Sequence, residues 1–307
     1  MQTRFQTTLN APVTFDGIGL HRGMPAHMVV KPAPIGAGVV FHRVDISDRD
    51  RKIPAAFDRV TDTLLCTLLS NDAGVTISTV EHILAALAGL GLTNAIIEVN
   101  GSEVPIMDGS AEPFVEAILA VGIRTQRARR RVLRILKPVE VRVGNAIARL
   151  EPCDRFEMDF RIEFSDAAIG TQARDMMVVN GAFREVLADS RTFVRASDVE
   201  ALREQGLALG GSLDNAIVVD QAQVRNPEGF RHADECVRHK MLDAVGDLAL
   251  AGAPIIGRYV GRRAGHGVTN TLLRALFATP GAWAFDVCGE VDVAALPGFT
   301  PGTHVHH

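Results

Sequence analysis

The feature that most constrains the fold is a helix–strand unit that occurs once in each half of the chain. In the first half, an apolar helix predicted over residues 79–90 leads into the strand-like run 95–99. In the second half, a helix predicted over residues 234–251 leads into the run 255–262. Two copies of one related unit, joined near residues 122–131, would produce this pattern. We therefore expect an α+β fold with two similar domains.

Hydrophobic periodicity locates the other elements, since apolar residues recur every three to four positions in a helix and every second position in a strand. Helices are expected at residues 79–90, 111–121, 181–188, 198–205, 234–251 and 269–278. Strands are expected at residues 26–30, 38–42, 63–69, 95–99, 139–143, 146–151, 156–164, 217–220, 255–262 and 283–290. The resulting division is an N-terminal domain 1–124, a linker 125–131, a C-terminal domain 132–295 with an insert near 198–224, and a loose tail 296–307.

Arginines crowd the stretch that contains the predicted linker. They are Arg124, Arg127, Arg129, Arg130, Arg131 and Arg134. A solvated interdomain segment explains them more simply than a polyanion-binding patch, because charge runs usually face water. The formal net charge of -4 also gives no reason to expect a nucleic-acid partner.

Cysteine usage and hydropathy indicate the compartment. Cys66, Cys153, Cys236 and Cys288 are widely spaced and form no CxxC pair, which suits a reducing compartment and argues against a thiolate zinc site. The first residues contain no unbroken apolar run of the kind that a secretory signal needs. No run of about 18 apolar residues occurs, so an ordinary spanning helix is excluded. We expect a soluble, cytoplasmic protein.

The sharpest local pattern for chemistry is the spacing of His239, Asp243 and Asp247. Residues four apart lie on one face of a helix, so a histidine and a carboxylate at this spacing can bind the same metal ion. The neighbouring apolar residues Met241 and Leu242 can anchor other faces of the helix in the core. A solvated polar stripe explains the same spacing equally well, so this helix alone does not decide between them.

Glu81-His82 is the best candidate for a third ligand and its partner base. In zinc hydrolases a carboxylate that does not bind the metal can take a proton from the attacking water. However, Ser78-Thr79-Val80-Glu81 also fits a capping box, in which Glu81 would bond back to the Ser78 amide. The familiar HExxH arrangement is absent, so a common metalloprotease is not indicated.

Other histidines lie in glycine-flanked turns or in the tail. His266 lies between Gly265 and Gly267, where the backbone can approach a ligand closely, although a simple turn histidine has the same pattern. His21 has similar flanks and is interpreted as structural. The tail contains His304, His306 and His307, which could bind metal adventitiously and receive no catalytic role.

A glycine-rich segment, Gly206-Leu207-Ala208-Leu209-Gly210-Gly211-Ser212, raises the alternative of an ATP-dependent small-molecule kinase. A loop of this composition could cradle phosphates. It lacks the GxxxxGK[ST] pattern, and no strong helix follows it, so the indication is weak. A catalytically silent protein that binds carbohydrate or nucleotide is a third interpretation.

Taken together, the separate motifs resemble one family. They are Ser78-Thr79-Val80-Glu81-His82, Pro105-Ile106-Met107-Asp108-Gly109-Ser110, Ser190-Arg191-Thr192-Phe193, Leu209-Gly210-Gly211-Ser212, Val237-Arg238-His239-Lys240-Met241-Leu242-Asp243 and Gly265-His266. Their order and content closely resemble the UDP-3-O-acyl-N-acetylglucosamine deacetylase family of lipid A biosynthesis, from about Thr7 to Trp283. No single motif is specific, but the combination is.

This resemblance implies a fold and a set of roles. Each domain would layer a sheet against a pair of helices, with the active site between the domains. The metal ligands would be His82, His239 and Asp243, holding Zn²⁺ or, in the cell, Fe²⁺. The catalytic residues would be Glu81 as general base, His266 as cationic acid or electrostatic stabiliser, Asp247 to orient it, and Thr192 as hydroxyl donor to the oxyanion. The substrate contacts would be Lys240, Phe193 and Cys66.

The chemistry required of such an enzyme agrees with these residue types. An amide is a poor electrophile, so a metal ion that acidifies water and polarises the carbonyl is useful. The oxyanion needs preorganised donors, and the departing nitrogen needs a proton. The expected partner is a UDP-linked, acylated N-acetylglucosamine, whose acyl chain would pass Phe193 and the insert. We expect a monomer.

Overall fold

The computed structural model of the chain describes residues 3–298. Its α-helices are α1 (Glu81–Gly89), α2 (Glu112–Val121), α3 (Ala196–Glu204), α4 (Glu235–Ala249) and α5 (His266–Ala278). Short 3-10 helices lie at Phe57–Arg59 and Val291–Ala295, and a single π-helical turn lies at Phe183–Leu187. None of the helices within the described range is long and apolar enough to cross a membrane.

The first half of the chain builds a five-stranded sheet with the order β2-β3-β9-β4-β5. The strands are β2 (Val13–Ile18), β3 (Pro25–Pro32), β4 (Val39–Arg43), β5 (Lys52–Pro54) and β9 (Ala95–Asn100). The β2–β3, β3–β9 and β4–β5 pairs are antiparallel, whereas β4 runs parallel to β9.

The second half builds a seven-stranded sheet. Its strands are β11 (Arg131–Ile135), β12 (Val139–Val143), β13 (Ala146–Glu151), β14 (Phe156–Glu163), β15 (Thr171–Met177), β19 (Ile255–Arg262) and β20 (Trp283–Val287). The β12–β13, β13–β19 and β14–β15 pairs are antiparallel, whereas β14 runs parallel to β19. β11 extends this sheet beside β19 and pairs with β20.

The second half thus repeats the strand order and relative strand directions of the first, with β12-β13-β19-β14-β15 corresponding to β2-β3-β9-β4-β5. In each half a helix, α1 or α4, immediately precedes the central strand of this order. The predicted α+β fold with two similar domains is therefore confirmed. The domain boundaries remain a prediction.

The remaining strands form three small sheets. They are β1 (Phe5–Leu9) with β10 (Ile123–Arg129); β6 (Val60–Asp62), β7 (Leu68–Ser70) and β8 (Thr76–Ile77); and β16 (Phe193–Arg195), β17 (Ile217–Asp220) and β18 (Gln223–Val224). The last of these, with α3, forms the predicted insert in the second half.

The two halves meet where α1 crosses α4. All residues of α1 except Ala88 are buried, which is expected of a helix that is apolar on nearly every face. At the crossing, a Cβ atom on Gly246 would lie 2.0 Å from the carbonyl oxygen of Glu81. Any side chain at this position would therefore separate the two helices.

One residue of the arginine-rich stretch departs from the sequence interpretation. Of residues 125–131, predicted as a linker, 125–129 lie in β10 and Arg131 begins β11. Most of the arginines are exposed or half-buried, but Arg130 has only 1% of its surface exposed. The expectation of a solvated segment is wrong for Arg130, the residue between β10 and β11, because its side chain is buried.

The structure contradicts three smaller predictions. Residues 63–67 are not a strand, because Asp62 Oδ1 accepts hydrogen bonds from the next two amides and Leu65 has a φ of 67°. The helix expected at 181–188 is reduced to the π-helical turn. In the tail, predicted as loose, Leu296 is fully buried. Residues 299–307, with their three histidines, lie outside the described residues.

Candidate active site

The three predicted metal ligands meet at the crossing of α1 and α4. Nε2 of His82 lies 3.4 Å from Oδ1 of Asp243, and Nε2 of His239 lies 3.3 Å from the same oxygen. The candidate ligand atoms all lie within 4.8 Å of one another, and all three side chains are buried. His82 comes from the first turn of α1, and the other two come from successive turns of α4.

The bonding of these side chains fits a divalent ion. Nδ1 of His239 lies 3.0 Å from the carbonyl oxygen of Ser190, which can only accept, so Nδ1 carries the proton and Nε2 keeps a free lone pair. Burial lowers the pKa of His239 to about 4, so the ring is neutral, as a ligand must be. Oδ1 of Asp243 is buried and receives no hydrogen bond from any of residues 3–298. Catalytic zinc is typically bound by three protein ligands, such as two imidazoles and a carboxylate, and its fourth coordination position stays open.

Lys240 lies beside this cluster and points at its carboxylate. Its Nζ donates a hydrogen bond of 2.6 Å to Oδ2 of Asp243. Burial opposes charge on Asp243, but His239 and Lys240 outweigh it and hold the pKa of Asp243 well below its usual range. Oδ2 is thus engaged by the ammonium, while Oδ1 remains free toward the two imidazoles.

Glu81 does not act as a helix cap. The side chain of Glu81 accepts a hydrogen bond of 3.0 Å from the amide of Thr67, and the N-cap residue Val80 makes no side-chain cap. The capping-box interpretation is therefore wrong. Burial raises the pKa of Glu81, although His266 and His82 act in the opposite direction. Its other oxygen, Oε1, lies 3.9 Å from Nε2 of His266.

His266 is the first residue of α5 and is held by Asp247. Its Nδ1 donates a hydrogen bond of 2.8 Å to Oδ2 of Asp247, whose Oδ1 accepts one of 2.6 Å from the Thr67 hydroxyl. Burial lowers the pKa of His266, but the charges of Asp247 and Glu81 outweigh this and raise it to about 9. The ring is therefore cationic near neutral pH and presents Nε2 toward Glu81.

These groups open into one cavity of about 400 Å³, which we call the site cavity. Thr192, Phe193 and Lys240 line it, together with Leu202 of α3. The Phe193 ring lies 6.2 Å from the His239 ring, so an apolar wall adjoins the polar cluster. Asp247 does not line the cavity, which agrees with a positioning role behind His266.

Cys66 lies beside the cavity rather than on its wall. It is buried, and its neighbour Leu65 lines the cavity in its place. Burial, with the nearby charge of Glu81, raises the pKa of the Cys66 thiol to about 12. Of the predicted substrate contacts, Cys66 is thus the one that the structure does not bring to the cavity surface.

His21, interpreted as structural from the sequence, lines the site cavity. It is buried, and neither ring nitrogen has a hydrogen-bond partner in the described part of the chain. Its amide and that of Arg22 donate to the carboxylate of Glu103, which also accepts from the Thr79 hydroxyl. The glycine flanks that drew attention to His266 also mark His21, so the sequence held a signal for it.

Backbone packing accounts for the glycines of the segment 206–212. The amides of Leu209 and Gly210 donate to the carbonyls of His21 and Leu20, and a Cβ on Gly210 would lie 2.3 Å from the carbonyl oxygen of Gly19. Gly210 therefore permits close backbone approach between the insert and the turn that carries His21. This packing accounts for the motif without a phosphate.

Comparison with known proteins agrees with the geometry. The family model described as LpxC: UDP-3-O-acyl N-acetylglycosamine deacetylase matches residues 6–278. The chain is 51% identical over 279 residues to the UDP-3-O-acyl-N-acetylglucosamine deacetylase of Phenylobacterium zucineum, covering 91% of this chain and 95% of the relative. It is 48% identical over 282 residues to the protein of that name from Haemophilus influenzae, covering 91% and 92%. For the protein of that name from Shewanella frigidimarina, identity is 45% over 307 residues, covering 98% and 99%. The chain belongs to the UDP-3-O-acyl-N-acetylglucosamine deacetylase family.

Proposed function

We propose that this protein hydrolyses the N-acetyl group of UDP-3-O-(3-hydroxyacyl)-N-acetylglucosamine, giving the free amine and acetate, as the committed step of lipid A biosynthesis. The observation that carries the proposal is the buried cluster of His82, His239 and Asp243, which adjoins a carboxylate and a cationic imidazole in one cavity. The names of the relatives indicate the substrate.

The cluster would hold one zinc ion through Nε2 of each imidazole and Oδ1 of Asp243. A zinc ion bound there acidifies water and polarises the amide carbonyl. Two residues of the chain position these ligands. The Ser190 carbonyl fixes the His239 tautomer, and Lys240 donates a hydrogen bond to Oδ2 of Asp243. Ferrous iron, which also accepts imidazole and carboxylate ligands, is the alternative native metal.

Glu81 would take the proton from the attacking water. Its carboxylate lies in the cavity wall but contributes no atom to the ligand cluster. Burial raises its pKa, which moves it toward the range in which a general base is effective. The Thr67 amide holds one oxygen in place and leaves the other free.

His266 would supply the proton to the departing glucosamine nitrogen. Its raised pKa keeps the ring protonated at neutral pH, and Asp247 fixes the ring so that Nε2 carries a proton into the cavity. The Thr192 hydroxyl, also on the cavity wall, would donate to the developing oxyanion.

The acyl chain would leave the cavity along the insert. Phe193, Leu202 and Phe164 provide apolar surface there, and the Phe164 and Phe193 rings lie 5.4 Å apart. The residues after Phe193 are Val194 and Arg195, where the resemblance to the family leads one to expect a glycine and a second aromatic residue. These two residues line the same cavity, so we assign to them the preference for acyl-chain length.

The decisive experiment is acetate release from the acylated UDP-sugar, measured before chelation, after chelation and after adding back Zn²⁺ or Fe²⁺. We expect about one functional divalent ion per chain. Full activity in thoroughly metal-depleted protein would refute the metal role. ATP binding without metal would instead favour a kinase, and tight sugar-nucleotide binding without acetate release would favour a silent binding protein.

We also place the reaction in the cytoplasm and propose that the chain acts as a monomer. All four cysteines are unpaired, as expected in a reducing compartment. The ligand set and both proton-transfer groups come from a single chain. Sedimentation analysis tests the monomer directly.

A further inference from the structure

Arg191 lies between two residues that the proposed mechanism uses. The carbonyl of Ser190 accepts the Nδ1 proton of His239 at 3.0 Å, and Thr192 lines the site cavity. Arg191 itself is buried and does not line that cavity. A group that fixes Arg191 therefore also fixes, through the adjoining peptide bonds, a contact of a candidate metal ligand and the candidate donor to the oxyanion.

Glu235 holds Arg191 through both its backbone and its side chain. Oε1 of Glu235 accepts hydrogen bonds from the amide and Nε of Arg191, each at 3.0 Å, and Oε2 accepts one from Nη2 at 3.3 Å. Glu235 is fully buried, so water does not compete for these hydrogen bonds. The forked pairing of a guanidinium with a carboxylate fixes the orientation of the arginine as well as its position.

The other contacts of Arg191 lie in the segment that precedes α4. Its Nη1 pairs with Glu228, and its Nη2 donates a hydrogen bond of 2.7 Å to the carbonyl of Gly229. The guanidinium thus bonds on several sides at once. A lysine has only a single ammonium group and could not reproduce this set of contacts.

α4 contacts the segment 190–192 at two successive turns. Glu235 is the first residue of α4, and His239 follows four residues later on the same face. The helix therefore meets this segment through Arg191 at one turn and through Ser190 at the next. Two contacts along one helix set the rotation of the segment as well as its distance, which one contact alone would not do.

We propose that Arg191, paired with Glu235, is a positioning residue of the metal site. It places the Ser190 carbonyl so that the His239 ring keeps its proton on Nδ1 and leaves Nε2 free. This inference rests on the proposed function, because it requires His239 to be a metal ligand. Loss of a group that orients a metal-bound histidine typically lowers metal affinity or activity by about 10–100-fold.

The first test measures Zn²⁺ affinity by competition with a chelator. Arg191→Lys keeps the charge but loses the fork, and it should bind Zn²⁺ at least tenfold more weakly than the parent. The matched control is Arg43→Lys, since Arg43 is also buried and bonds to Asp45 through two nitrogens, in the first half of the chain. This control should change the affinity less than threefold. Equal losses in the two variants would overturn the proposal, because any buried arginine would then have the same effect.

The second test observes His239 directly by NMR of the metal-free protein with isotope-labelled imidazole nitrogens. The His239 signals are assigned by their absence from His239→Gln. The parent should show the tautomer with the proton on Nδ1, whereas Arg191→Lys should show a mixture of both tautomers. A pure Nδ1–H tautomer in Arg191→Lys would overturn the proposal even if the metal affinity fell, because the loss would then have another cause.

Glu235→Gln keeps the experiment decisive if Arg191→Lys fails to fold. It preserves the shape of the side chain but replaces one accepting oxygen with an amide group, so the same two changes are expected. Unchanged Zn²⁺ affinity and tautomer in Glu235→Gln would overturn the proposal. Neither test uses the substrate, so the two hypotheses can fail separately. A parent that binds Zn²⁺ but releases no acetate would contradict the proposed function alone, and an active parent whose variants keep the tautomer would contradict this inference alone.

Discussion

Nδ1 of His266 lies 2.8 Å from Oδ2 of Asp247, and this bond joins the start of α5 to α4. The same carboxylate accepts the Thr67 hydroxyl through its other oxygen. Asp247 therefore connects Thr67 of the first half to the imidazole of His266 in the second half. In the proposed mechanism its charge would act through His266, because Asp247 itself does not line the site cavity.

Asp247→Asn should keep the metal but lower kcat. The substitution removes the charge that raises the pKa of His266, so that pKa falls. His266 then loses its proton at lower pH, and the alkaline limb of the kcat/KM profile moves in that direction. Metal analysis with pH–rate profiles checks this. Loss of the metal in Asp247→Asn would make Asp247 a ligand and contradict the assignment of Asp243.

Glu81→Ala should retain the metal while kcat falls by about 10²–10⁴-fold, the usual effect of losing a positioned proton-transfer group. The acidic limb of the pH profile should also flatten. The matched variant is His82→Ala, which should lose metal, with only partial rescue by added zinc. Equal metal loss in both variants would mean that Glu81 is a ligand, and activity within a few-fold of the parent would mean that another group is the base.

Removal of the 3-O-acyl chain from the substrate should lower kcat as well as affinity. Contacts of the chain with Phe193 and Leu202 can position the amide, and such remote binding energy is used in the transition state. Steady-state kinetics with the acylated sugar and with UDP-N-acetylglucosamine measure the difference. Comparable kcat/KM values for the two substrates would show that contacts with the acyl chain play no part in catalysis.

Two buried arginines should respond oppositely to methionine. Arg130→Met removes a charge that has no hydrogen-bonded partner among the described residues, so the free energy of unfolding should rise, by about 1–4 kcal/mol. Arg191 is also buried but bonds to Glu235 at 3.0 Å, and Arg191→Met should cost about 3–5 kcal/mol because the buried carboxylate loses the guanidinium that balances its charge and keeps only amide donors. Denaturant unfolding measures both. A clear loss of stability in Arg130→Met would show that an acceptor compensates its charge.

Sequence patterns predicted the parts of the site that are encoded locally. The spacing of His239 and Asp243 on one helix allowed both to bind the same metal ion, and the structure brings the two side chains together. His82 is positioned by the α1–α4 crossing, which no local pattern describes. The sequence offered Glu81-His82 as the best candidate for a third ligand, and the family resemblance then implied that His82 is the ligand.

The errors of the sequence interpretation share a physical origin. Ser78 and Glu81 have the spacing of a capping box, but tertiary contact gives Glu81 the Thr67 amide instead. Arg130 lies in a run of charges that indicates solvent, but its side chain, between β10 and β11, is buried. Whether a polar side chain is buried depends on segments distant in sequence, and a local pattern does not contain them.

Gly246 makes the α1–α4 crossing a contact between backbones, so the distance between the two halves is fixed at the position of Glu81. Glu81 and the candidate ligand His82 belong to the first half, and the other two candidate ligands belong to the second. Either half alone would supply only part of the candidate ligand set. If the proposed metal site is correct, metal uptake would therefore report the docking of two folded halves, and a chain that has folded each half but not joined them would be inactive.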